Sequence, residues 1–240
     1  MAESDAGSYA VAPDELPVAL TDPAYRQAVV ELLAVIAYGE LSAFERLSED
    51  AKLAPSLEDK LALAQMAGAE LAKVQPLVDR ITQLGGDPFA AMAELHQAVD
   101  AFHAHTAPSD WYEGLVKAYV GDSLVRDFYR EIAAYLDADT RDLVVSSTVE
   151  GQHAAFAVDR IRQAIVAEPR LGGRLALWGR RIMGEALTQA QSVAAERDAL
   201  TALLVGGVDR PGLDLAALGR MFTRLTERHS ERMAELGLEA

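Results

Sequence analysis

Four acids recur in a spaced pattern: Glu40 and Glu70 lie 30 residues apart, and Asp122 and Glu150 lie 28 apart. Three residues beyond the second acid of each pair stands Lys73 in the first half and His153 in the second. An i, i+3 offset puts both side chains on one helix face, so Glu150 and His153 can aim at one cation from one helix. Four carboxylates turned into a low-dielectric interior are costly unless positive charge meets them there. Two divalent ions would balance them, with carboxylates bridging the ions and imidazole supplying a neutral nitrogen. The chain has no cysteine, which excludes disulfides, thiolate metal sites and cysteine nucleophiles. Oxygen and imidazole donors suit iron, manganese or zinc.

Lys73 complicates that chemistry, because a protonated amine cannot ligate a metal. One divalent ion plus Lys73 nearly balances the four acids if a proton is shared, whereas Lys73 alone calls for protonated carboxylates. The residues therefore point either to a single-metal site around Asp122, Glu150 and His153 or to a metal-free site held by Lys73 salt bridges. A full di-metal centre with the lysine displaced ranks third. Asp127 and Glu131 are the alternatives to Asp122 if the helix phase there is shifted. Gly39, Gly68, Gly121 and Gly151 flank the acids, and each costs about 1 kcal/mol relative to alanine within a helix. Close helix approach, or room for a ligand, would justify them.

The elements that must carry these residues are helices. Asp22-Pro23 pairs an N-cap with proline at the first helical position. Leu33, Ile36, Ala37, Glu40, Ala43, Phe44 and Leu47 then recur along one stripe, while Glu45, Glu49 and Lys52 fall on solvated faces. Ser56 caps a second helix with Leu63, Met66, Ala67, Glu70, Lys73, Val74 and Leu77 inward; Pro76 is expected to kink it and Gly85-Gly86 to end it. Residues 88 to 106 read as a crossover helix. A third long helix starts near Asp110 and turns Leu115, Tyr119, Asp122, Tyr129, Ile132 and Leu136 to one side. A fourth, capped by Asp139, carries Leu143, Ser147, Glu150, His153, Ala157 and Ile161. A fifth spans about 171 to 204, and a last one, capped by Asp214, spans about 215 to 235. Residues 1 to 20 form an acidic, proline-punctuated, flexible segment, and 21 to 240 a single helical domain.

Other candidates carry less chemistry. His96, Asp100 and His103 have metal-ligand spacing, but on a crossover helix they read as surface or partly packed side chains. Glu185 is expected to bridge to Arg181. Tyr38, Tyr119 and Tyr129 read as core aromatics.

Half the residues are hydrophobic and a quarter charged, enough for a sizeable core, and the prolines number only nine. The net charge of −15 opposes binding to phosphate backbones, with Arg174, Arg180 and Arg181 the densest cationic stretch. No run approaches the roughly 18 consecutive apolar residues of a membrane span. Met1-Ala-Glu-Ser-Asp has neither the basic nor the apolar segment of a signal peptide, so a cytoplasmic location is expected.

One Glu, a Glu-x-x-His, one Glu and a second Glu-x-x-His on four helices is the ferritin-like di-iron pattern, which this chain resembles over residues 24 to 237. Residues 38–47, 117–122, 175–185 and 220–226 look like an actinobacterial branch described as similar to MiaE, the hydroxylase of 2-methylthio-isopentenyl-adenosine in tRNA. The resemblance implies an all-α, ferritin-like antiparallel four-helix bundle with a crossover helix and two additional C-terminal helices. It implies one or two iron ions held by Glu40, Glu70, Asp122, Glu150 and His153, and oxygen-dependent hydroxylase-like activity. Lys73 departs from the pattern at the first histidine, and Asp122 is one methylene short of the third-helix glutamate. The competing reading is a metal-free binding or assembly module in which Lys73 replaces a metal. The acidic surface disfavours tRNA, so a small molecule or a protein partner, a second copy of the chain among them, is the expected company.

Overall fold

The computed structural model describes residues 19–148, 153–205 and 214–240. After a short 3-10 turn at Ala19–Thr21, helix α1 spans Pro23–Asp50, and the Asp22 carboxylate accepts from the Ala24 N–H at 2.9 Å. A second 3-10 turn, Ala51–Leu53, leads to α2, Leu57–Gln83, whose Asp59 N–H donates to Ser56 Oγ at 3.1 Å. Helix α2 continues past Pro76 as one element and ends where Gly85 adopts a φ of +80°, a conformation that costs glycine little. The short connection folds α2 back along α1, and α3, Pro88–His105, lies against α1.

The third helix is not one α-helix. Asp110 caps α4, Trp111–Val116, which passes into a π-helical turn, Lys117–Gly121, before α5, Asp122–Ala133. The fourth starts earlier than its sequence suggests, at an Asp137 cap rather than Asp139, and α6 covers only Ala138–Ser147. Its described part ends at Thr148, where Arg130 of α5 donates to the carbonyl at 2.6 Å and to the hydroxyl at 3.0 Å, and residues 149–152 lie outside the described residues. Helix α7, His153–Ala167, completes that arm. The expected fifth helix is likewise two: α8, Arg170–Glu196, and α9, Asp198–Val205. The break falls at Arg197, whose guanidinium reaches the Glu94 carbonyl at 2.5 Å and its carboxylate at 3.1 Å on α3. Asp214 caps α10, Leu215–Glu235.

Two large apolar cores hold the described part of the bundle, with a smaller cluster of Leu124, Met183, Met221 and Leu225 beside them. One joins Val29, Leu33 and Ile36 of α1 to Leu77 and Ile81 of α2, Tyr129 and Ile132 of α5, and Leu203 of α9. The other joins Leu47, Leu63, Leu115, Val116, Ile161, Leu175, Ile182 and Met233. Along α1, Glu40 falls between the two; along α2, Glu70 does; along the third arm, Asp122 does. The acids thus sit where one core gives way to the other. By length and hydropathy α1 could cross a membrane, which counting consecutive apolar residues does not reveal, yet 56% of its most apolar window is buried against the rest of the protein.

Candidate functional site

Glu40 and Glu70 meet across the α1–α2 pair, 7% and 6% exposed. Lys73, one turn beyond Glu70, places its Nζ 3.3 Å from Glu40 Oε2 and in direct contact with Glu70 Oε2. A second cation, which sequence reasoning missed, enters from α5. Arg126 pairs with Asp122 one turn before it and reaches Glu70 Oε1 at 3.7 Å. Its signal was available: 122, 126 and 129 share a helical face, and an acid–arginine i, i+4 pair is a common helix partner.

Burial, reinforced by a hydrogen bond to Glu70 and by its charge, pushes Glu40 up to about 9. Burial opposes the charged form of Glu70 as well, but the hydrogen bond from Glu40, together with Lys73 and Arg126, outweighs it and holds that carboxyl below the ordinary range. With Glu40 held protonated, the two remaining acids, Glu70 and Asp122, face the two bases, Lys73 and Arg126. Those charges cancel.

The remaining candidates divide. Glu150 lies outside the described residues; His153 opens α7, and its side chain is likewise outside them. Asp127 and Glu131 are buried but turn toward α10, where Arg232 reaches Asp127 at 2.6 Å, Arg224 reaches Glu131 at 2.6 Å and Arg228 lies 3.6 Å from both. His96, Asp100 and His103 do not converge: His96 contacts the Ala93 carbonyl, and Asp100 accepts from Tyr38 at 2.8 Å. Glu185 pairs with His105 at 2.6 Å rather than with Arg181. Tyr119 bonds Glu235 of α10, and Tyr129 lies buried with its hydroxyl near Gly39 and Glu40. A Cβ on Gly121 would rest against Ile182 at 3.4 Å, whereas Gly68 faces open space, so only some of the flanking glycines mark close packing.

A cavity of about 380 Å³ runs past the acids. Glu40, Glu70, Lys73, Asp122 and Arg126 line part of it, and most of the rest is apolar wall, including Leu32, Val35, Phe128, Leu203, Phe222 and Leu225. Such a cleft, with few polar groups among apolar ones, is the ordinary form of a small-molecule site. The densest arginines are occupied elsewhere: Arg174 grips Asp110 and Glu113, Arg180 donates to the Glu239 carbonyl, and Arg181 stacks over Trp178.

Iron fits the described donors poorly. Glu40, Glu70 and Asp122 are each engaged by Lys73 or Arg126, and among the described residues no three His, Asp or Glu side chains are grouped to hold a metal ion.

The helices and the inward acids at the junction of two cores define a ferritin-like four-helix bundle. Residues 23–207 match the family described as the ferritin-like domain of actinomycetes, and the chain belongs to that family. No curated protein matches it.

Proposed function

We propose that the chain is a ferritin-fold binding protein that works without a metal and receives an apolar small molecule in its central cavity. The observation that carries this reading is the placement of Lys73 and Arg126 on the carboxylates that a di-iron relative would offer to metal. Two fixed cations already balance Glu70 and Asp122, so a divalent ion entering there would have to displace them or leave excess positive charge in a low-dielectric site. The mostly apolar wall supports an apolar ligand, and the net charge of −15 with internally engaged arginines argues against a nucleic acid.

The MiaE-like hydroxylase reading, which requires iron, is the outcome this proposal sets itself against. The test is iron content after anaerobic incubation with ferrous ion and desalting, together with displacement of an environment-sensitive apolar dye by 1-decanol. Substoichiometric iron with saturable displacement is expected. Stoichiometric bound iron would overturn the proposal and reinstate the hydroxylase.

A further inference from the structure

Arginine supplies nearly all the positive charge of this chain; its only lysines are Lys52, Lys60, Lys73 and Lys117. Two of these four line the cavity. Lys73 is matched by its carboxylates, but Lys117 is not. It is 6% exposed, and its Nζ lies 5.5 Å from the centre of the Phe102 ring and has no hydrogen-bond partner among the described residues. An amine confined in this way loses the hydration of its ammonium form without gaining a hydrogen bond in exchange.

The backbone is what turns it inward. Lys117 opens the π-helical turn, where five residues rather than four separate successive bonded positions, and both Lys117 and Asp122 come to line the cavity. Asp50 and Arg46 of α1 and His103 of α3 interact with it electrostatically, and all three line the cavity. Gly114 leaves the space that the Asp50 carboxylate fills; a Cβ there would lie 3.2 Å from Asp50 Oδ2. His103 Nδ1 has no hydrogen-bond partner among the described residues.

We propose that Lys117 is a Schiff-base lysine whose ε-amine condenses with an apolar long-chain aldehyde held in the cavity. The inference rests on the cavity's being a site for apolar molecules. The Nζ lone pair adds to the carbonyl carbon to give a carbinolamine, and the carbonyl oxygen leaves with the two amine hydrogens as water. The C=N bond replaces the C=O bond without any change in oxidation state. Asp50, the carboxyl facing the amine, can protonate the departing hydroxyl and recover a proton from the nitrogen, while the neutral His103 Nδ1 can accept a hydrogen bond from the amine.

The electrostatics favour these roles. Burial, followed by Arg46, lowers Lys117 to about 8, with Asp50 opposing. Desolvation beside another cation is a recognised route to a nucleophilic lysine. Burial raises Asp50 to about 6, against the pull of Lys117, and lowers His103 to about 3, so the imidazole stays neutral.

The experiment is to incubate the full chain with decanal and cyanoborohydride, which reduces an imine to a stable secondary amine, and to map the adduct by peptide mass spectrometry. One alkyl group at Lys117 is expected, formed on the order of ten-fold or more faster than at the exposed Lys52 and Lys60, because more of its amine is uncharged at neutral pH. Lys117→Met, which removes a buried unpaired amine, should lose that adduct while 1-decanol still displaces the apolar dye. Lys117→Arg, which keeps the charge, should lose it too. Displacement by decanol without preferential labelling of Lys117 would sink the Schiff base and leave the cavity reading standing. Absence of both would sink the two together.

Discussion

Lys73 Nζ lies 3.3 Å from Glu40 Oε2, joining two helices through residues 33 positions apart, while it also grips Glu70 on its own helix. The lysine therefore holds α1 against α2 at the junction of the two apolar cores. Removing one partner of a buried ionic group is destabilising because the other charge is left unmatched. Lys73→Met is expected to cost about 3 kcal/mol, the low end for such a change, since Arg126 still reaches Glu70. Urea unfolding measures it. A loss below about 1 kcal/mol would mean that the carboxylates reorganise onto Arg126 and that Lys73 is dispensable to the fold.

The protonated state of Glu40 carries its own signature. Its carboxyl titrates near 9 in the folded chain against an ordinary value of 4.5. Between those values the folded protein holds a proton that the unfolded chain has released, so stability falls as pH rises through the interval. From about pH 7 to 7.5 Glu40 is the largest contributor: Asp50 at about 6 is largely ionised, while His103 and His229, both lowered by burial, and Lys117, lowered to about 8, hold more proton in the unfolded chain and offset part of the fall. Stability should drop by up to about 1.4 kcal/mol per pH unit in that window. Glu40→Gln, an uncharged isostere, should lose that fall and keep only the opposite, rising contribution of His103, His229 and Lys117. Denaturant midpoints at both pH values decide it, and equal slopes for parent and variant would show that Glu40 is not the group responsible.

How far the sequence revealed this arrangement depends on whether the cause was local. Asp22, Ser56 and Asp214 mark helix starts because a cap is decided within three residues, and Gly85 marks an end for the same reason. The stripes through Glu40 and Glu70 followed from simple 3.6-residue periodicity. The break at Arg197 did not, since its cause is a contact to Glu94, 103 residues away. Lys117 was invisible for a different reason: the π turn shifts the helix phase between it and Asp122, so an α-helical count carried back from Asp122 assigns Lys117 to another face. Arg126 obeyed the ordinary period, but attention to the acids alone passed over it.

Asp127 and Arg232 form the most enclosed ion pair in the molecule's described part, at 2.6 Å with Asp127 only 1% exposed. The pair fastens α10 onto α5, and Arg228 at 3.6 Å adds a second cation. Asp127→Ala should cost about 3–5 kcal/mol, because it leaves Arg232 buried without its carboxylate. Asp127→Leu combined with Arg232→Met should recover much of that loss, since a well-packed apolar pair is frequently no worse than a buried ionic one. A double-mutant cycle by chemical denaturation checks both. If the double variant is as unstable as Asp127→Ala, the pair is needed for positioning α10 and not merely for charge balance.

Two helix glycines should respond in opposite directions to the same added methyl group. Gly68, in the interior of α2, has nothing within 4 Å of a built Cβ, so alanine there gains helix propensity without a clash. Gly68→Ala is expected to stabilise by about 0.4–1 kcal/mol. At Gly179 of α8 a Cβ would come within 2.5 Å of Met233 Sδ and 2.6 Å of its Cε, and Met233 is fully buried. Methionine is adaptable, but here its displaced end has to find room in a closed core. Gly179→Ala should therefore cost about 1–3 kcal/mol, and Met233→Ala in the same chain should relieve the clash while opening a void of its own. Thermal unfolding of the three variants beside the parent measures the pattern. A destabilised Gly68→Ala would mean that this face of α2 is covered in solution, and a neutral Gly179→Ala would mean that α10 packs more loosely on α8 than the Met233 contact indicates.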